Sequence, residues 1–164
     1  MTKQYHDSIK ILFVCHGNIC RSPMAEFVFR DLVEKKGMAE RFYVASAATS
    51  MEEIGNPVHR GTREKLRQYG ISTAGKYAVQ LKKGDYERYD YILGMERWNI
   101  VNIMKILRQD PEGKIKRLLD FSCNPRDIAD PWYTGNFDVT YDVISEGCQA
   151  LLEYIIEKEG ISLG

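Results

Sequence analysis

The chain has 164 residues, 44% of them hydrophobic and 28% charged, which is the composition of an ordinary folded domain and excludes disordered and fibrous classes. Its 23 lysines and arginines balance 23 aspartates and glutamates, so the basic excess that marks nucleic-acid and anionic-membrane binders is missing, and neither partner is expected. Any positive potential has to be local.

From the amino end, Met1 to Ser8 contain no apolar run of the signal-peptide kind, and the run Ile9 to Val14 is short and interrupted by Lys10. No stretch approaches the ~18 apolar residues of a membrane span, and a cytoplasmic location is expected. Cys15, Cys20, Cys123 and Cys148 lack the paired spacing of a metal site. His16 beside Cys15 leaves zinc as a remote alternative; no metal or cofactor is expected, and in a reducing compartment the cysteines are free thiols.

Ile11-Leu-Phe-Val14 reads as a strand buried on both faces, and Ser22-Pro23 as a helix start, with Ser at the cap and Pro in the first position. The loop between them lies at a strand's carboxyl end and before a helix N-terminus, where backbone N–H groups gather anions. Into that site the sequence sets the thiol of Cys15 and, six positions on, the guanidinium of Arg21. A cation and a helix N-terminus favour the thiolate, which is the nucleophilic form. Arg21 can hold two phosphoryl oxygens at once through its planar fork. Gly17 permits close backbone approach, Asn18 tolerates a left-handed conformation, and the Ser22 hydroxyl can donate to the sulfur. The set fits covalent phosphoryl transfer through a phosphocysteine.

The helix is expected to run to about Lys36 and to end at Gly37, with a second strand at Phe42 to Ser46 and a polar segment from Ala47 to Asn56 at the same edge as the Cys15 loop. Pro57 is read as opening a helix that reaches Tyr69 and is closed by Gly70. Gly70-Ile-Ser-Thr-Ala-Gly75-Lys76 matches the start of a nucleotide-binding loop, but a helix precedes it and Tyr77 stands where a magnesium-binding hydroxyl is needed, so it is read as a connector. A third strand is expected at Tyr89 to Met95, a helix at Glu96 to Leu107 with Trp98, Val101, Met104 and Ile106 as its apolar stripe, and a turn at Pro111 to Gly113. A fourth strand follows at Ile115 to Phe121, and a last helix from about Val139 to Glu159. Alternating strands and helices imply one doubly wound α/β domain over residues 1–164.

Cys15-His-Gly-Asn-Ile-Cys-Arg-Ser-Pro23 resembles the phosphate-binding loop of the low-molecular-weight protein tyrosine phosphatases, and Asp130-Pro-Trp-Tyr133 resembles that family's acid element, in the same chain order. The resemblance spans nearly the whole chain. It implies a four-stranded parallel sheet in the order 2-1-3-4 flanked by helices, and hydrolysis of phosphotyrosine in protein substrates, with phosphate as product and inhibitor. It implies Cys15, Arg21 and Asp130 as catalytic residues, with Asp130 the general acid, and substrate contacts from His16, Gly17, Asn18, Ile19, Cys20 and Ser22. Trp132 and Tyr133 become walls against an aryl group, and Ser46 a support for Asn18 where Gly75 stands in the place of a family histidine. Asp127 is the rival acid. Met51-Glu52-Glu53 departs from the family's pattern by placing acid at the cleft rim. Cys20, five residues from Cys15, is a candidate redox partner that could trap an oxidised Cys15 as a disulfide.

Other activities share this pattern. Arsenate reductases need further cysteines in the region of Lys82 to Glu87, where this chain has none, and arginine phosphatases tend to carry Thr where Ile19 sits. A phosphopeptide-binding module without turnover would not need Cys15, Arg21 and Asp130 together.

Overall fold

Every residue from Ile11 to Val14 is buried, and the pleat sends Ile11 and Phe13 into one apolar layer and Leu12 and Val14 into another. A strand covered on both faces belongs in the middle of a sheet, and β1 (Ile9–Cys15) is paired on both sides. The computed structural model describes residues 8–161, so the reading of Met1 to Asp7 lies outside the described residues. Strands β2 (Phe42–Ala48), β3 (Tyr91–Gly94) and β4 (Ile115–Arg117) complete a parallel sheet ordered β2-β1-β3-β4, as expected.

One face is covered by α1 (Arg21–Lys35) and α6 (Phe137–Glu159), which pack Met24, Phe29, Ile144, Leu151 and Leu152 onto Ile11 and Phe13. Phe13 and Phe29 are fully buried with ring centroids 6.0 Å apart, and truncating either to alanine should cost about 3–5 kcal/mol. The other face carries α4 (Arg97–Leu107) through Ile103 and Leu107, with Tyr86 from the short α3 (Asp85–Arg88) and Tyr89 beside them. Because β2 and β3 lie on opposite sides of β1, the chain switches direction at the carboxyl end of β1, which is where open α/β sheets bind ligands.

Four readings of the sequence need correction. Helix α1 starts at Arg21 with Cys20 at its cap; the Ser22 hydroxyl faces the Cys15 sulfur at 3.0 Å instead of capping an amide. Pro23 still falls in the first turn, where no amide is required. Helix α2 spans Arg60–Arg67, later than Pro57, because Pro57 bridges Tyr77 and the His59 ring caps the helix by accepting the Gly61 N–H at 3.0 Å. In α4 the buried positions are Asn99, Ile103 and Leu107, whereas Trp98 and Val101 are exposed. Asn99 sets that phase by turning inward to accept the Met95 and Glu96 N–H groups at 2.8 and 3.0 Å. Strand β4 ends at Arg117, since Asp120 folds back onto the Arg117 backbone at 2.7 Å and winds Leu118–Phe121 into a 3-10 turn.

Other expectations hold. Gly37, at a left-handed φ of 70°, ends α1 while Met38 N–H returns to Val33 O at 2.8 Å. The Gly70–Lys76 segment is a connector that does not run directly into a helix, and α6 extends the expected last helix back to Phe137. No helix among the described residues is long and apolar enough to cross a membrane.

Candidate active site

The loop from Cys15 to Cys20 is curled by bonds to its carbonyls. Cys15 O and His16 O accept from the Thr49 and Ser50 N–H groups, both at 3.0 Å; Ile19 O accepts from His59 N–H at 2.8 Å, and Cys20 O from the Thr62 hydroxyl at 3.1 Å. Those carbonyls are thereby tied to the framework. Asn18, at a left-handed φ of 60°, directs its N–H to Cys15 Sγ at 3.3 Å.

Beneath the sulfur runs a directed chain of hydrogen bonds. Asn18 Nδ2 donates to Ser22 Oγ at 2.8 Å and to Ser46 Oγ at 2.9 Å, and Asn18 Oδ1 accepts from Val79 N–H at 3.1 Å. Both amide hydrogens are thereby used. The Ser22 oxygen is already an acceptor, so its own hydrogen is left for Cys15 Sγ. Ser46 in turn donates to Glu26 Oε1 at 2.6 Å, and buried Glu26 is paired with Arg30 at 2.6 Å and Lys76 at 3.6 Å. Burial pulls the Lys76 ammonium below its ordinary pKa against the pull of Glu26, and its Nζ donates to Ser46 O at 2.9 Å. Glu26 and Lys76 were not legible as site residues: one reads as a helix-face charge, the other as part of the nucleotide-loop decoy.

Arg21 is almost wholly buried, and its guanidinium is spoken for on two sides. Nη1 donates to Ile128 O at 2.8 Å and meets Glu96 Oε2 at 2.6 Å, while Nη2 meets Asp130 Oδ2 at 3.4 Å. Burial opposes its charge, but Cys15, Asp130 and Glu96 outweigh that and raise its pKa. Of the five N–H donors of an arginine, the Nε hydrogen and one Nη2 hydrogen meet no described residue. Two donors on adjacent nitrogens are what a bidentate phosphoryl contact needs.

The cleft above the sulfur is lined by Cys15, His16, Gly17, Ile19, Cys20 and Arg21, by Glu52 and Glu53, and by Asp130, Trp132 and Tyr133. Asp130 caps the short helix α5 (Pro131–Thr134) by accepting the Trp132 N–H at 3.0 Å, which leaves its other oxygen toward Arg21. Trp132 and Tyr133 are exposed at the mouth, Trp132 edge-on to His59 with centroids 5.5 Å apart. His16 Nε2 lies 3.3 Å from Glu52 Oε2. Asn18, Ser22 and Ser46 do not line the cleft; they stand behind the nucleophile. Asp127 lies elsewhere, bound to the Arg97 N–H at 2.8 Å and the Arg117 guanidinium at 3.1 Å. Burial, with Cys15 and Asp130, pushes the Cys20 thiol up to about 12, so it stays protonated at neutral pH. Among the described residues no group of three or more His, Cys, Asp or Glu side chains is placed to hold a metal ion.

The comparisons with known proteins agree with this geometry. Residues 10–160 match the model of the family described as low molecular weight phosphotyrosine protein phosphatase. The low molecular weight protein-tyrosine-phosphatase YfkJ of Bacillus subtilis is 45% identical over 153 residues, covering 92% of this chain and 97% of that protein. The crystal structure of YfkJ superposes with a TM-score of 0.88 at 44% identity, covering 93% of this chain and 98% of that one. A Drosophila arginine phosphatase structure has a TM-score of 0.82 at 29% identity, covering 89% of this chain and 97% of that one, so the fold alone does not select the phosphorylated residue. A family model spanning nearly the whole chain, on a loop that turns a thiol and a free guanidinium edge into one cleft, decides the matter of kinship: this chain belongs to the low molecular weight phosphotyrosine protein phosphatase family.

Proposed function

We propose that this chain hydrolyses phosphotyrosine in protein substrates by way of a phosphocysteine. The observation that carries the reading is the convergence of Cys15, the free edge of Arg21 and Asp130 on one cleft. The Cys15 thiolate attacks phosphorus in line, the bond from phosphorus to the tyrosyl oxygen breaks, and Asp130 gives that oxygen its proton. Arg21 and the loop amides hold the three equatorial oxygens as charge builds on them. In the second step water attacks phosphorus, Asp130 takes its proton, and phosphate leaves with the thiolate restored. Ser22, poised at 3.0 Å, stabilises the sulfur as leaving group, and Asn18 and Ser46 keep Ser22 aimed.

Ile19, Trp132 and Tyr133 give the cleft an aryl-sized apolar mouth, which supports tyrosine over serine and over arginine. All four cysteines are free thiols, which supports action in the reducing cytoplasm. The test is to compare turnover of matched phosphotyrosine, phosphoserine and phosphoarginine peptides, with and without EDTA. Preference for phosphotyrosine, insensitive to chelator, is expected.

A further inference from the structure

Two carboxylates compete for Arg21. Glu96 meets it at 2.6 Å and Asp130 at 3.4 Å; charge-assisted contacts of this kind settle near ~2.7–2.9 Å, so Glu96 holds the guanidinium and Asp130 only leans on it. The reaction read above has no step for Glu96. The turn that carries it is nonetheless held by three hydrogen bonds. Asn99 Oδ1 accepts both the Met95 and Glu96 N–H groups, and Ile128 N–H donates to Met95 O at 2.9 Å. A side chain at Gly94 would meet Asn99 Cβ at 2.9 Å, so only glycine lets Asn99 close so tightly under the turn. The Ile128 bond also ties Glu96 to the loop that carries Asp130, and Ile128 O accepts from Arg21 at 2.8 Å.

Resting on the phosphatase reading, we propose that Glu96 is the positioning residue of the phosphoryl clamp: it pins the Nη1 side of Arg21 so that the Nε edge faces the substrate, and keeps Arg21 from closing onto Asp130. Without Glu96, a buried guanidinium would have one carboxylate left to satisfy it. It would draw Asp130 into a tighter pair, which misaims the clamp and takes the proton donor out of reach of the leaving oxygen. Glu96 lies outside the loop and the acid element, transfers no proton and makes no contact with substrate.

The test uses the full chain carrying Glu96→Ala, Glu96→Gln or Glu96→Asp, alone and with Arg21→Lys, which keeps the charge but has no fork. Competitive inhibition by inorganic phosphate is read beside kcat/KM on a phosphotyrosine peptide. Glu96→Ala should weaken phosphate inhibition about tenfold and lower kcat/KM roughly 10²-fold, the scale of a misplaced clamp. Glu96→Gln, which keeps an oxygen for Nη1, should lose about a tenth to a third as much, and it supplies the same readout should the alanine variant not fold. Added to Arg21→Lys, either Glu96 substitution should change kcat/KM by less than about threefold, because its effect passes through the fork. Unchanged phosphate inhibition in Glu96→Ala and Glu96→Gln, or full additivity with Arg21→Lys, overturns the proposal. If Arg21→Lys and Asp130→Ala themselves turn over like wild type, the phosphatase reading has failed instead, so the two failures are distinct.

Discussion

Asp130 Oδ2 stands 3.4 Å from Arg21 Nη2, across 109 residues of sequence, whereas Asp127 in the same loop is spent on the Arg97 N–H and the Arg117 guanidinium. Of the two acids that the sequence offered, only Asp130 lines the cleft. A general acid matters most for a poor leaving group. Asp130→Ala should therefore lose about 10²- to 10⁴-fold on phosphotyrosine and much less on an activated aryl phosphate. Asp127→Ala should be milder on both, acting through the Arg117 contact. Steady-state kinetics on the two substrates checks this, and reversed behaviour of the mutants would move the acid to Asp127.

The cleft rim should select by charge. Glu52 and Glu53 line the mouth opposite in sign to the buried Arg21, so acidic residues flanking the phosphotyrosine should be disfavoured and basic ones favoured. Glu53 is braced by the Asn56 amide at 2.9 Å and packs over Gly17, which holds it at the rim. Reversing both charges to lysine should move kcat/KM toward acidic peptides by about tenfold, and the effect should shrink with salt. A peptide panel that ranks the same before and after the change would show that the rim charges do not select.

Cys20 lines the same cleft as Cys15, and its proton is retained at neutral pH because burial and its neighbours hold the thiol at about 12. Peroxide should oxidise Cys15 to the sulfenic acid first. Cys20 then displaces that oxygen as water, forming the disulfide and halting further oxidation. Wild type should recover in dithiothreitol, bound phosphate should protect, and Cys20→Ser should be inactivated largely for good. If Cys20→Ser recovers fully and peptide mapping of oxidised wild type finds no Cys15 to Cys20 bridge, Cys20 only packs beneath the loop.

What the sequence made legible follows from how local each signal is. The Cys15 to Pro23 loop is contiguous, so its nucleophile and clamp could be named before any fold was known. The strand order came from resemblance, and the sheet matches it. Glu26, Lys76 and Glu96 escaped because each reaches the site from a separate element, and nothing in a one-dimensional pattern distinguishes a charge that turns inward from one in solvent. The α4 stripe was misread for a related reason. Asn99, a polar residue, takes the inward position to satisfy two amides, and that rotates Trp98 and Val101 outward. Ser22 and Pro23 looked like a cap because their types suit one; the hydroxyl was needed at the sulfur.

A pH effect on stability is expected at Glu146, which does not line the cleft. Bonds from Arg126 and Ser122 hold the Glu146 carboxyl at about 2, below its ordinary 4.5. Its folded-state pKa is depressed, so its contribution is present above about 4.5 and fades as pH falls toward about 2. Glu146→Gln should destabilise the protein by only about 0.5–1 kcal/mol at neutral pH, given the exposure of the pair. Urea unfolding should show that gap narrowing below pH 4.5. A gap that does not change with pH would mean that the carboxylate charge contributes nothing.

The phosphatase reading rests on turnover through a covalent phosphate on Cys15. The most direct measurement is acid quench of the enzyme mixed with a phosphotyrosine peptide, followed by peptide mapping, done beside Cys15→Ser. A phosphoryl group on the Cys15 peptide is expected within the first turnover. The Cys15→Ser protein should bind phosphate but hydrolyse at least about 10³-fold more slowly. Label on another residue, or turnover by Cys15→Ser close to that of wild type, would contradict that reading.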